Sequence, residues 1–352
     1  MRIPILSLCF FLIALISACE DKGSQPEVIL PVNPLSNPFP PHESHDINII
    51  VRLGWDYADT TVDSIFYNIY LGTDPNPPVK DSLLTENRYV TGKLQHDTTY
   101  YWRIVAFNDT SDSTVGPIWS FNTIGSNRVV TFPDPNLEEA VREEIKRPIG
   151  DIYIRDIDTL KFLYASYFYI DSLQGLEYFA SLVSLKLNSN KVRDLTPLKH
   201  LAYLKRLELC GNNLTDLTLV QDLSQLNLLR ISFNQVTDLS PLEEFTHLNS
   251  LEAMDNQITD LTPLQNLNRI ATLYLSMNNI VDLSPIQGLE RLHYLYLDHN
   301  QIVNILPLVN NPGIGSENNE SDMIILRDNP LDSISRYEYI ELLIRRGADI
   351  KF

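Results

Sequence analysis

Four groups of residues in this 352-residue chain could carry chemistry: a histidine pair, a histidine beside an aspartate, a run of periodic aspartates, and three cysteines. His42-Glu43-Ser44-His45 is one residue short of the H-E-x-x-H pattern that puts two histidines on one helical face for zinc. It also lies beside prolines instead of in a helix, so no metal site is expected. Asp298-His299 lacks a third ligand or a nucleophile at usable spacing. Asp194, Asp216, Asp238, Asp260 and Asp282 each stand two residues ahead of a Ser or Thr, the spacing of a local turn acceptor. Cys9, Cys19 and Cys210 are too few for a disulfide scaffold, and nothing beside Cys210 in sequence activates its thiol. No catalytic constellation and no cofactor or metal site emerges, and the expectation is a protein that is not an enzyme.

Binding is the remaining chemistry. Phe233, Tyr274, Met277, Tyr294, Tyr296 and His299 gather toward one end of a periodic array, and Phe162, Tyr164 and Tyr167 gather at the other. Rigid aromatic side chains lose little entropy on ordering and dominate binding hot spots, so both clusters are ligand-binding candidates. For the first-named cluster the competing reading is packing of the loop at 310–322; for the second it is contact with the N-terminal cap of the array or with the unit ahead of it.

The array positions them. Asn190, Asn212, Asn234, Asn256, Asn278 and Asn300 recur every 22 residues, each closing the frame L-x-x-L-x-L-x-x-N-x-[V/I/L]. A degenerate copy precedes (Leu160, Leu163, Ala165, Phe168, Ile170) and another follows (Ile324, Leu326, Asn329, Leu331) after a seven-residue insertion, making eight units over 160–331. Frame positions 3, 5, 7 and 8 face outward from a parallel sheet whose strands stack about 4.8 Å apart. The fifth position runs Tyr164, Lys186, Glu208, Arg230, Glu252, Tyr274, Tyr296, and its alternating charges predict a mutual ladder across neighbouring strands. The asparagines have a structural role, satisfying backbone groups that each turn would otherwise bury unpaired. After each comes a motif such as Asp238-Leu239-Ser240-Pro241, where the hydroxyl residue reads as a helix N-cap with Pro at N1.

This period and consensus are those of leucine-rich repeats, and N-x-[IV]-x-D-L-[ST]-P-L resembles the internalin type. The resemblance implies an α/β solenoid with a concave parallel sheet, an N-terminal cap over 126–159 with an amphipathic helix bearing Leu137, Val141 and Ile145, and a C-terminal cap helix over 332–352. It points to a protein ligand on the concave face. Internalin relatives are usually wall-anchored, so their host-receptor role is not carried over.

Residues 43–125 show short alternating strands without helical period, the pattern of a β-sandwich. They resemble a fibronectin type III domain, with Trp55 as its buried tryptophan and Tyr100 as its tyrosine corner, which makes this unit a spacer. Ahead of it, the apolar run Ile3 to Ile16 is too short to span a bilayer, and Ile16-Ser17-Ala18-Cys19 resembles a bacterial lipobox. That resemblance implies a signal peptide at 1–18, acylation (palmitate) of Cys19, and a proline-rich tether over 19–42. A net charge of -18, negative on both sides of residue 126, excludes nucleic acid and leaves the lipid as the sole membrane contact. The reading is a multi-domain, monomeric envelope protein at the outer membrane or cell surface with a protein partner. Carbohydrate binding by the same tyrosines, or a purely structural role, are the alternatives.

Overall fold

The computed structural model describes residues 35–58, 65–108, 113–315 and 322–352. Cys19, the signal-like segment and most of the tether lie outside them.

The front unit is built from β1 (Leu35–Phe39), β2 (Ser44–Ile47), β3 (Arg52–Tyr57), β4 (Ile65–Gly72), β5 (Val79–Leu84), β6 (Arg88–Val90), β7 (Thr99–Asn108), β8 (Ser113–Val115) and β9 (Trp119–Thr123). One sheet has the order β1-β3-β6; the other runs β2-β9-β7-β4-β5, with β8 on β7. Strict alternation along β7 turns Tyr100, Trp102, Ile104 and Ala106 inward, where they meet Leu53 and Trp55 of β3 and Ile69 and Leu71 of β4 in one core. Two half-buried sheets must face each other to hide such stripes. The Tyr100 hydroxyl accepts the Gln95 N–H at 3.1 Å, and Trp55 is 2% exposed.

This unit starts earlier than the expected boundary at 43. β1 lies inside the proline-rich stretch, with Leu35 paired to Tyr57 and buried. Proline density suggested a tether, but β1 is an edge strand, where a missing N–H removes no ladder bond.

A two-stranded ribbon, β10 (Val129–Val130) with β11 (Ile152–Tyr153), frames the cap helix Pro135–Ile145, which buries Leu137, Ala140 and Val141. Its N-cap Asp134 accepts from Asn136 N–H and reaches the first repeat through the Asp171 and Ser172 N–H groups at 2.7 and 3.0 Å. Burial pulls its carboxyl upward, yet these backbone bonds outweigh burial and hold it below the usual range.

The repeats follow as β12 (Phe162–Tyr164), β13 (Ser184–Lys186), β14 (Arg206–Glu208), β15 (Leu228–Arg230), β16 (Ser250–Glu252), β17 (Thr272–Tyr274), β18 (Tyr294–Tyr296), β19 (Met323–Ile325) and β20 (Asp349–Lys351), one nine-stranded parallel sheet. The frame leucines form a continuous core from the cap helix to Ile350. The closing segment therefore differs from a plain cap helix: helical turns over Ser335–Arg345 are followed by a ninth strand hydrogen-bonded to β19. The insertion contributes as well, since buried Asn311 donates to the Leu289 carbonyl at 3.0 Å.

Each frame asparagine joins two repeats. Asn256 Oδ1 accepts Val236 N–H at 2.9 Å, while its Nδ2 donates to the Ile231 and Ala253 carbonyls at 3.0 and 3.3 Å. The same three-way bonding recurs from Asn190 to Asn300, and again at Asn329. The turns opposite the sheet are 3-10, and their capping differs from expectation. Leu195 and Leu239 occupy the N-cap positions, so the hydroxyl residue already stands inside the turn. The acceptor is the periodic aspartate: Asp194 Oδ1 takes Thr196 N–H at 2.9 Å, and Asp238 Oδ1 takes Ser240 N–H at 2.8 Å.

The sandwich packs onto the turn-bearing side of the first repeats. Ile49 and Ile50 bury against Ala180 and Ala202, Tyr203 Oη donates to the Thr91 carbonyl at 2.9 Å, and Asn48 Nδ2 donates to the Glu177 carbonyl. His96 meets Asp158 at 2.8 Å, with Lys93 at 3.2 Å from the same carboxylate. A spacer reading leaves these contacts unexplained, and the concave sheet stays uncovered by the sandwich.

Candidate functional site

The concave face takes its geometry from the strand register. Equivalent residues pair from strand to strand, so each outward frame position becomes a column: Tyr164, Lys186, Glu208, Arg230, Glu252, Tyr274, Tyr296 is the fifth. In mid-face the charges pair with each other. Lys186 lies 3.3 Å from Glu208, and Arg230 reaches Glu208 at 3.4 Å and Glu252 at 2.9 Å. The Glu208 side chain is 4% exposed and also accepts from Asn188 Nδ2 at 3.1 Å. Burial pushes its carboxyl upward, but the hydrogen bonds from Asn188 and Lys186 and the charges of Arg230 and Lys186 prevail and hold it below the usual carboxylate range. Charges so engaged have little left for a ligand.

A backbone feature aligns with the face. The eighth frame position is left-handed in every repeat: Tyr167, Ser189, Gly211, Phe233, Asp255, Met277, His299 and Asp328 have φ between 52° and 69°. Only one of the eight is glycine, although the left-handed region disfavours residues with a Cβ. The conformation lifts each of these side chains off the end of its strand toward solvent. Phe233 and Met277 are 55% and 47% exposed there.

No protein-family model and no curated protein matches the chain. Among solved structures, internalin C2 from Listeria monocytogenes is 31% identical with a TM-score of 0.54, and the match covers 59% of this chain and 89% of that one. This chain belongs to the internalin family. A second Listeria monocytogenes internalin, inlF, is 22% identical at a TM-score of 0.29, covering 62% of this chain and 95% of that one. The functional domain of InlJ from the same organism is 20% identical at 0.38, covering 60% and 56%.

In this internalin two of the aromatic residues expected at the C-terminal end meet, while Phe233 follows β15, two strands from Tyr274. Tyr274 and Tyr296, on adjacent strands, stack with ring centroids 4.3 Å apart and planes 17° from parallel. Burial, followed by the proximity of Tyr296 and the charge of Glu252, pushes the Tyr274 phenol up. Tyr296 Oη approaches Met323 Sδ at 3.1 Å, and Tyr294 lies beside the pair, exposed. His299 sits between Asp298 and Asp328 at 3.1 and 3.2 Å. Among the described residues no group of three or more His, Cys, Asp or Glu is placed to hold a metal ion. His42 instead accepts the Ser120 N–H, and β2 covers Ser44 and His45 as strand.

At the other end Phe162, Tyr164 and Tyr167 are 48%, 53% and 74% exposed, so neither cap nor sandwich covers them. Tyr169, which the frame reading passed over, joins them at 70% exposure, with Lys191 Nζ 5.7 Å from its ring. It occupies the first position after the asparagine slot, beyond the outward positions that strand alternation reveals. Cys210 is free and partly exposed on the sheet, and burial pushes its thiol up, the opposite of activation.

Proposed function

We propose that this internalin is a non-enzymatic, lipid-anchored protein of a bacterial envelope that binds a protein partner through its concave face. Exposed aromatic clusters at both ends of an uncovered sheet, flanking a self-paired charge ladder, are the observation that supports this reading. Tyr274, Met277, Tyr294, Tyr296, His299 and Phe233 form the principal contact, and Phe162, Tyr164 and Tyr167 form the second. The stacked pair favours protein over carbohydrate, because Tyr274 and Tyr296 already occupy one ring face each. The front unit belongs with fibronectin type III sandwiches on the strength of buried Trp55 and the Tyr100 corner. Among the described residues no helix is long and apolar enough to cross a membrane, and acylated Cys19 supplies the anchor.

The test uses a partner cross-linked to the immobilised protein from intact cells and identified by mass spectrometry. Changing Tyr274, Tyr294 and Tyr296 together to Ala should weaken its affinity at least tenfold, since central aromatic hot spots contribute about 2 kcal/mol or more each. Unchanged affinity refutes the site. Loss of acyl labelling in Cys19→Ser tests the anchor separately.

A further inference from the structure

The seam between the sandwich and the back of the repeats holds a cleft of 650 Å³, a volume suited to a small molecule and at a junction of units where such sites concentrate. Its wall carries both charges: Asp46, Asp56, Glu177 and Asp222 stand with Arg52, Arg88 and Lys199. Arg52 of β3 and Arg88 of β6 enter from the sandwich, two residue pairs off direct register, and Lys199 and His200 enter from the repeats. The Arg52 side chain is 15% exposed and makes no hydrogen bond among the described residues. Its carboxylate neighbour Asp222 stands 3.8 Å away, and Lys199 approaches the same group at 3.9 Å. The Arg88 side chain has no ion pair among the described residues. Burial, helped by the Arg88 charge and opposed by Asp222, pulls Arg52 down, and burial with the Lys199 charge keeps His200 toward its neutral form.

Each other carboxylate of the wall has a nearer donor of its own. Asp46 pairs with Arg128 at 2.5 Å, Asp56 accepts from Asn37 at 2.8 Å, and Glu177 accepts the Gly175 N–H at 2.6 Å. Arg52 and Lys199 thus share Asp222, each beyond hydrogen-bond distance, and exposed Arg88 lines the same cleft. Phe39, Ile47, Ile50 and Ala202 supply an apolar floor.

We propose that this cleft binds an oxyanion carried on an apolar body, a carboxylate or a phosphate monoester. The Arg52 guanidinium takes two of its oxygens side by side, and Lys199 and Arg88 complete the charge. The ligand bridges the sandwich and the repeats, independently of any partner on the concave face.

Calorimetric titration of the purified protein with phenylacetate, phenyl phosphate and the neutral phenylacetamide tests this. Saturable binding of at least one anion is expected, with the amide at least tenfold weaker, and the two anions show which oxyanion is preferred. The double variant Arg88→Met, Lys199→Met should bind at least tenfold more weakly with an unchanged circular dichroism spectrum. Asp222→Asn, which removes the competing carboxylate, should tighten binding severalfold, a gain that no folding defect imitates. No saturable heat with either anion, equal affinity for the amide, or weaker binding by Asp222→Asn overturns the proposal.

Discussion

Asn256→Ala measures what the asparagine ladder contributes, and the structure sets its magnitude. The Asn256 side chain bonds four backbone groups, but they do not lose equally: the Met254 carbonyl, at 3.2 Å, keeps the Phe233 N–H at 2.8 Å. The Ile231 carbonyl keeps the Asn234 amide at 2.9 Å, and the Ala253 carbonyl keeps the Asn278 amide at 2.9 Å. Buried Val236 N–H has Asn256 Oδ1 as its acceptor and is left with none. One orphaned buried donor costs about 1 to 3 kcal/mol, and the Ile231 and Ala253 carbonyls, each losing one of two donors, add about 0.5 to 1 kcal/mol apiece. The variant should therefore lose about 2 to 5 kcal/mol. Asp260→Ala is the control: it too removes a side-chain acceptor from a backbone N–H, at 2.8 Å from Thr262, but in an exposed turn where water substitutes. Its cost should stay below about 1 kcal/mol. Urea unfolding followed by circular dichroism gives both values, and hydrogen exchange at the Val236 amide locates the defect. Equal, small losses in the two variants would refute the claim that burial, not the presence of a bond, makes the ladder strong.

Glu208→Gln should cost about 1 to 3 kcal/mol at pH 7 by leaving Arg230 and Lys186 underpaired over a buried group. The native carboxyl is held below its unfolded value, so its stabilisation is complete above about pH 4.3 and is lost as pH falls through the folded value. Denaturation curves of the two proteins should accordingly converge on acidification below about pH 4; a gap constant with pH contradicts the ladder. Ile50→Asp places a charge in the seam against Ala180 and Ala202 and should separate the sandwich from the repeats, read as a larger radius of gyration in small-angle scattering and faster proteolysis near residue 125. An unchanged radius would mean that the polar contacts at Asp158 and Thr91 suffice.

The solenoid was legible because its constraints are local and repeated. Leu185, Leu207 and their equivalents must be apolar wherever a strand faces a core 22 residues wide in sequence, and Asn must follow wherever the turn buries its backbone. The charge ladder was legible for the same reason, since a fixed period turns sequence alternation into spatial adjacency. The caps of the 3-10 turns were read one residue out of place: Ser and Thr are common N-caps, but here they stand inside the turn and the aspartate two residues earlier accepts their own N–H. β1 was hidden by prolines whose tolerance at a sheet edge cannot be told from a tether without knowing the edge.

Composition and period by themselves determined the repeat architecture, the acidic surface, and the outward columns that contain the aromatic candidates. Tertiary structure alone decided which of those aromatics touch, that the eighth frame position is left-handed whatever residue occupies it, and that the sandwich docks behind the repeats so that Arg52 and Arg88 meet Lys199 across a cleft. The physical reason is range. A 22-residue period encodes contacts between equivalent positions of neighbouring turns, whereas the seam joins residues sixty or more positions apart that share no pattern, and only packing brings them together.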